Sequence, residues 1–297
     1  KYTPAGMVSG ISLYDSLKNK KQPDCLPLPW TALQDLTYGL RRGEMWTITA
    51  GSGMGKTQVL RELAYHIQHN SEDNIGMMFF EEPLDDSARG MLSLGANKPL
   101  HLPTTEITGE EFDEAFKNTL GSDRYHFFES FGSTNIDAVI SAIRYLALGC
   151  DCKYIFLDHI SILVSDQSQG DERKALDEIA TKLKTLTIEL NIWLGMVSHS
   201  KRPSGKSHEE GGQTSLSELR GTAGIGQLSN MVLGLERDGQ NPDPTIRNTT
   251  LIRVLKNRFS GLTGPSTYLH YDRDTSRLTE TFPDDIEEGI EEFEELK

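Results

Sequence analysis

From residue 44 onward the chain alternates unbroken apolar runs with stretches of helical periodicity. EMWTITA (44–50), IGMMFF (75–80), KYIFLDHI (153–160) and IWLGMVSH (192–199) are continuous apolar runs, the pattern of strands buried on both faces. Between them lie helical spacings. Val59, Leu60, Leu63, Ala64 and Ile67 fall on one face, and Leu176, Ile179, Leu183, Leu186 and Leu190 recur at intervals of three and four. A further helix is predicted within SFGSTNIDAVISAIRYLALG (130–149). Beyond Leu219 three shorter candidates, NMVLGLE, TTLIRVLKNRF and STYLHYD, are joined by turn residues and are expected to extend the sheet in antiparallel fashion. The pattern therefore predicts an α/β fold: a mostly parallel sheet flanked by helices, with an antiparallel C-terminal extension. No internal repeat is present.

Ahead of this body, Val8, Ile11, Leu13 and Leu17 predict a short amphipathic helix over 7–19, with Ser12 as a candidate cap. The proline-rich KKQPDCLPLPW after it reads as a linker or extended arm. At 297 residues the chain suits one large domain. It opens on Lys1, which leads us to expect a piece of a longer protein. There is no signal-like start and no apolar run of about twenty residues, so a cytoplasmic protein is expected. Cys25, Cys150 and Cys152 form no paired framework and are read as reduced.

A net charge of −14 at first argues against a nucleic-acid partner. Residues 280–297, however, hold nine acids and one lysine, so more than half of that charge sits in a terminal segment too polar to fold alone. This acidic tail reads as a solvated segment or as a docking peptide for a basic partner, such as a polymerase.

The chemistry is concentrated in AGSGMGKT, the residues Ala50, Gly51, Ser52, Gly53, Met54, Gly55, Lys56 and Thr57, between a predicted strand and a predicted helix. Glycines let backbone N–H groups turn around a polyphosphate, Lys56 neutralises its outer phosphates, and the Thr57 hydroxyl can ligate Mg²⁺. Ala50 stands where the usual pattern has glycine. Asp158, after four apolar residues, is the candidate second magnesium residue. Glu81 and Glu82 both end a strand and could each activate water, and Glu81 is the expected base. His199 closes another strand. Lys256 and Arg258 share a strand face and could act in trans on a neighbour's phosphate, or be ordinary edge-strand cations.

These blocks, with LDHISILVS, DERK, SHSK, HEEGG, SELRGT, QLSN, LER, VLKNRFSG and YLHYD in order, resemble the RecA-like hexameric helicases of the DnaB type. They are most similar to the helicase half of the primase-helicases of short-tailed, T-seven-like phages. The resemblance implies a RecA-like P-loop NTPase core over 26–279, a subunit-packing linker helix and arm over 1–25, and a flexible tail over 280–297. It implies Lys56 and Thr57 at phosphate and Mg²⁺, Asp158 organising the metal, Glu81 as base and His199 as sensor of the γ phosphate. It further implies Arg258 as an arginine finger beside Lys256, Arg237 at the nucleotide base, and Gln227 linking nucleotide state to a DNA loop. Lys201, Arg202 and Lys206 in HSKRPSGKSHEEGG would meet single-stranded DNA.

The expected activity is hydrolysis of ATP or dTTP coupled to 5′–3′ unwinding of forked DNA by a homo-hexameric or heptameric ring in a bacterial cytoplasm. A primase domain would lie upstream if present. The DNA loop is shorter than in such relatives, and Gly226 replaces an arginine. A ring or filament of the RecA or KaiC kind without unwinding, and a nucleotide-gated scaffold, are the competing expectations.

Overall fold

The computed structural model describes residues 7–19, 24–129, 135–164, 169–200, 206–208, 210–219 and 223–287. The N-terminal segment forms a 3₁₀ turn, Gly10–Leu13, and one helical turn, α1 (Tyr14–Lys18). Ser12 does not cap it; its hydroxyl donates back to the Ser9 carbonyl within the turn. Val8, Ile11, Leu13 and Leu17 are all exposed among the described residues. The arm that follows lies on the body. β1 (Cys25–Leu26) pairs antiparallel with β2 (Leu40–Arg41) around α2 (Thr31–Thr37), and Leu26, Leu28 and Trp30 are buried.

The main sheet contains β3 (Met45–Ala50), β4 (Asn74–Phe79), β5 (Tyr125–Phe127), β6 (Cys152–Asp158), β7 (Trp193–His199), β8 (Met231–Glu236), β9 (Thr249–Asn257), β10 (Gly264–Asp272) and β11 (Arg277–Thr281). Its spatial order is β11-β10-β9-β8-β3-β7-β6-β4-β5. All pairings from β8 to β5 are parallel, and β9, β10 and β11 are added antiparallel. NMVLGLE, expected in the antiparallel extension, is therefore a correction: as β8 it runs parallel to β3. Its six residues are all buried, as a strand covered on both faces requires.

Helices cover both faces. α3 (Lys56–Asn70) packs through Val59, Leu60, Leu63, Ala64 and Ile67 on one core, with Trp46, Ile48, Phe156 and Trp193. α6 (Ile136–Leu148), α7 (Gln169–Glu189) and α8 (Ala223–Leu228) cover the other, where Met45, Ile155, Leu157, Leu194 and Met196 point. Successive strand residues serve opposite cores, the period of two that a pleated strand imposes. Two helices were not anticipated, α4 (Leu84–Ala96) and α5 (Gly109–Lys117); α5 starts at a capping box made by Thr108 and Glu111. A short turn, α9 (Pro244–Asn248), precedes β9.

Candidate nucleotide site

Parallel strands deliver their carboxyl ends to one edge of the sheet, and there the candidate residues meet. Between Ala50, at the end of β3, and Lys56, at the start of α3, the loop turns through Gly53 and Gly55, with φ of +68° and +83°. Gly55 is the N-cap of α3, a left-handed position that favours glycine, so that the first N–H groups of the helix open into the loop. Met54 is buried beneath it. Lys56 folds back on the loop, its Nζ donating to the carbonyls of Gly51 (2.6 Å) and Ala50 (3.3 Å). Burial draws its pKa down, and Asp158 and Glu81 oppose that shift.

Thr57 donates to Asp158 Oδ2 at 2.5 Å. Asp158, 2 % exposed, has its pKa raised by burial, with the Thr57 bond working the other way. The two glutamates after β4 separate clearly. Glu82 is held by Arg61 (2.5 and 2.6 Å) and by the Ser87 hydroxyl (2.8 Å). Glu81, more exposed, instead meets the two histidines, its Oε1 2.6 Å from His159 Nε2 and 3.5 Å from His199 Nε2. The two imidazoles stand edge to face, 4.3 Å apart. His199 is pushed down to about 4 by burial, Lys56 and His159, so it is neutral at neutral pH. His159 was not anticipated, although it directly follows Asp158 at the strand end.

Beside the loop lies a cavity of about 780 Å³, bordered by Met54, Gln58, Arg61, Arg237, Thr250 and Tyr271. Arg237 reaches the loop, donating to the Gly53 carbonyl at 2.5 Å. Tyr271, also unanticipated, comes from β10; sequence spacing carries no sign that β10 reaches across to the loop.

Lys256, Arg258 and Gln227 lie elsewhere. β9 runs antiparallel to β8, with Met231 opposite Asn257, so the end of β9 sits at the amino-terminal edge of the parallel strands. The six-residue length of β8 corresponds to about 20 Å at roughly 3.3 Å per residue. Lys256 and Arg258 are thus far from their own phosphate loop. They hold the end of α8 instead: Lys256 donates to the carbonyls of Gly226 (2.6 Å) and Gln227 (2.8 Å), and Arg258 to that of Gln227 (2.6 Å). Burial, Arg258 and Lys184 push Lys256 down to about 8. Within one chain Gln227 does not meet the phosphate loop. Lys206 is exposed, while Lys201, Arg202, the Arg220–Thr222 part of SELRGT and residues 288–297 of the tail lie outside the described residues.

A phosphate loop opening a helix, an acid bonded to its threonine, and a glutamate at the neighbouring strand end, all on a RecA-like sheet, are the features of the P-loop nucleotide-binding class. Residues 26–280 match the DnaB-like helicase C terminal domain, and the chain belongs to that family. It is 36 % identical over 287 residues to a DNA helicase/primase of Enterobacteria phage T3, covering 93 % of this chain and 50 % of that protein. It is 22 % identical over 257 residues to the replicative DNA helicase DnaB of Geobacillus stearothermophilus, with 84 % and 56 % covered. The solved structure of a DnaB-like replicative helicase, described together with its interactions with primase, has the same fold. It superposes with a TM-score of 0.72 at 17 % identity, covering 91 % of this chain and 66 % of that one. The chain spans about half the length of the curated relatives it matches.

Proposed function

We propose that this chain is the motor of a ring-forming replicative helicase, which hydrolyses ATP or dTTP and uses the cycle to move on single-stranded DNA and part a forked duplex. The observation that carries this reading is the division of the machinery between the two edges of the sheet. Lys56, Thr57, Asp158, Glu81 and His199 gather at the carboxyl edge, and Lys256 and Arg258 sit about 20 Å away, where only a neighbouring copy can bring them to a phosphate.

The residues present fit Mg²⁺. The Thr57 hydroxyl and the Asp158 carboxylate are hard oxygen donors 2.5 Å apart, and the carboxylate is buried without a cation bonded to it among the described residues. Bound there with the nucleotide, Mg²⁺ would neutralise phosphate charge. Lys56 would exchange its loop carbonyls for phosphate oxygens. Glu81 would orient and deprotonate the attacking water, and neutral His199 would donate a hydrogen bond toward the terminal phosphate. Arg237 and Tyr271 border the cavity into which a base would fit.

The exposed apolar residues of 7–19 give the ring its staple. A groove of about 370 Å³ between α4 and α5, lined by Leu92, Leu100, Ile107, Phe112 and Phe116, is the complementary surface on the next copy. The basic residues Lys201, Arg202 and Lys206 are the ones expected to meet single-stranded DNA, repeated six- or sevenfold around the ring. The acidic tail meets a basic partner of the replication machinery, such as a polymerase, in the cytoplasm of a phage's bacterial host; a primase domain would belong to a longer protein. Among the described residues no helix is long and apolar enough to cross a membrane.

The test is strand displacement on a forked duplex with Mg²⁺ and ATP or dTTP. Wild type and Glu82→Gln should unwind, and Glu81→Gln should bind DNA without unwinding. Wild type that hydrolyses nucleotide but never separates strands would favour the RecA- or KaiC-like reading.

A further inference from the structure

Glu81, His159 and His199 stand at the carboxyl ends of β4, β6 and β7, three strands adjacent in the sheet. One carboxylate oxygen and one nitrogen from each imidazole all lie within 4.8 Å of one another. Both Nε2 atoms converge on the same Glu81 Oε1, with the rings set edge to face. His159 is 8 % exposed, and its Nδ1 has no hydrogen-bond partner among the described residues, so Nε2 is the end of the ring that is held. Holding a base in place takes one hydrogen bond; two imidazoles and a carboxylate on rigid strand ends are also the donor set of a transition-metal site.

The distances suit such an ion. A tetrahedral ion bonded at about 2.0–2.1 Å keeps its ligand atoms about 3.3 Å apart. The Glu81–His199 separation of 3.5 Å is close to that spacing, and the 2.6 Å contact with His159 must open by about 0.7 Å. Glu81 is half-exposed and free to make that adjustment, and the solvent that reaches it can supply a fourth ligand. The Mg²⁺ donors beside the cluster differ in kind. Thr57 and Asp158 offer oxygen alone, which suits a hard ion, whereas imidazole favours Zn²⁺ and its neighbours in the transition series. Of the nearby charges, Lys56 opposes a cation here, while Asp158 and Glu81 favour one. Cys152 begins β6 and His159 follows its end, so the thiols of Cys150 and Cys152 are about 20 Å away and cannot join the site.

We propose that Glu81, His159 and His199 form a second metal site, which takes a divalent transition-metal ion such as Zn²⁺ and, when filled, switches hydrolysis off. The switch rests on the reading of Glu81 as the base: a lone pair committed to the ion can no longer accept a proton from water. The binding itself does not depend on that reading.

The experiment first binds Zn²⁺ or Co²⁺ to the Mg²⁺-replete chain without nucleotide. Wild type should take up a single ion, and Co²⁺ should give visible d–d absorption without the near-ultraviolet thiolate band of a cysteine site. Glu81→Gln, His159→Gln and His199→Gln should each weaken uptake by about tenfold or more, at least what the loss of an outer-shell partner costs, and Cys150→Ser should not. With free Zn²⁺ fixed by a metal buffer, wild-type hydrolysis should fall about a hundredfold as the site fills, the low end of what a general base contributes. It should return when zinc is withdrawn by a chelator that spares Mg²⁺. A thiolate band, or uptake that survives all three substitutions, overturns the site. Uptake that needs all three residues, with hydrolysis undiminished, overturns the switch and the base assignment while the metal site stands. Wild type that hydrolyses nothing overturns the motor reading and leaves the binding result as it is. Should the histidine variants fail to fold, Glu81→Gln, altered at the half-exposed ligand, and the wild-type cobalt spectrum decide.

Discussion

Replacing Thr57 by valine isolates the contact between the phosphate loop and β6 before any nucleotide arrives. The branched shape is kept and the donor to Asp158 is lost, leaving a carboxylate that is 2 % exposed and already disfavoured by burial. A hydrogen bond to a charged group contributes about 1.5–3 kcal/mol net, so the chelator-treated apoprotein should lose about that much stability at neutral pH. The pH dependence has a definite sign. Burial holds the native pKa of Asp158 above the ordinary 3.8, so the native state binds the proton more tightly than the unfolded chain, and stability falls as pH rises through that interval. Without the Thr57 bond the native pKa rises further, and the fall continues to higher pH. The difference between the two proteins is therefore smaller on the acid side, where Asp158 is increasingly protonated in both and the missing contact is a neutral hydrogen bond of about 1 kcal/mol, and it widens toward neutrality. Urea unfolding of both proteins in chelator, at about pH 4.5 and about pH 7.5, reads this from the midpoints at constant slope. A difference below about 0.5 kcal/mol at the higher pH, or one that does not widen, would refute the reasoning.

Two further outcomes follow from the same geometry. His159→Asn should lower kcat by about ten- to a hundredfold with nucleotide KM within about twofold, because His159 holds the proposed base rather than the nucleotide; steady-state kinetics showing the loss in KM would reject that role. Lys256 is pushed down to about 8, so between there and the ordinary 10.5 the unfolded chain keeps a proton that the native chain has released, and wild-type stability gains with pH across that window. Lys256→Met lacks the gain. Urea midpoints at about pH 7.5 and pH 10 should move in favour of wild type relative to the variant, and parallel shifts would contradict the cause assigned to the low pKa.

The sheet's parallel body was legible because β3, β4, β6 and β7 are apolar on both faces, and the phosphate loop because its glycines, Lys56 and Thr57 are contiguous. What escaped depends on contacts between distant segments. β8 has the composition of either kind of strand, and its direction is set by the chain crossing over α8 to lie beside β3. Glu81 and Glu82 are adjacent and identical; Arg61, more than a turn into α3, removes Glu82 from consideration. α4 and α5 were missed although their apolar residues recur at helical spacing; they pack largely on each other, off the main sheet, with Leu92, Leu100 and Ala115 in a small core of their own. The helix expected over 7–19 is a 3₁₀ turn and one short helical turn, and the apolar residues Val8, Ile11, Leu13 and Leu17 are exposed among the described residues.

Lys256 and Arg258 are not idle cations waiting in solvent, since both already donate to the carbonyls that end α8. If Arg258 reaches a neighbour's phosphate, it must first release Gln227, so the encounter is an exchange of one acceptor for another and its net gain is only the difference between them. Contacts with small net gain are readily undone. In the proposed ring, where every finger that engaged would later have to withdraw for the next turnover, that near-balance would let subunits trade partners in succession without any one interface becoming a trap.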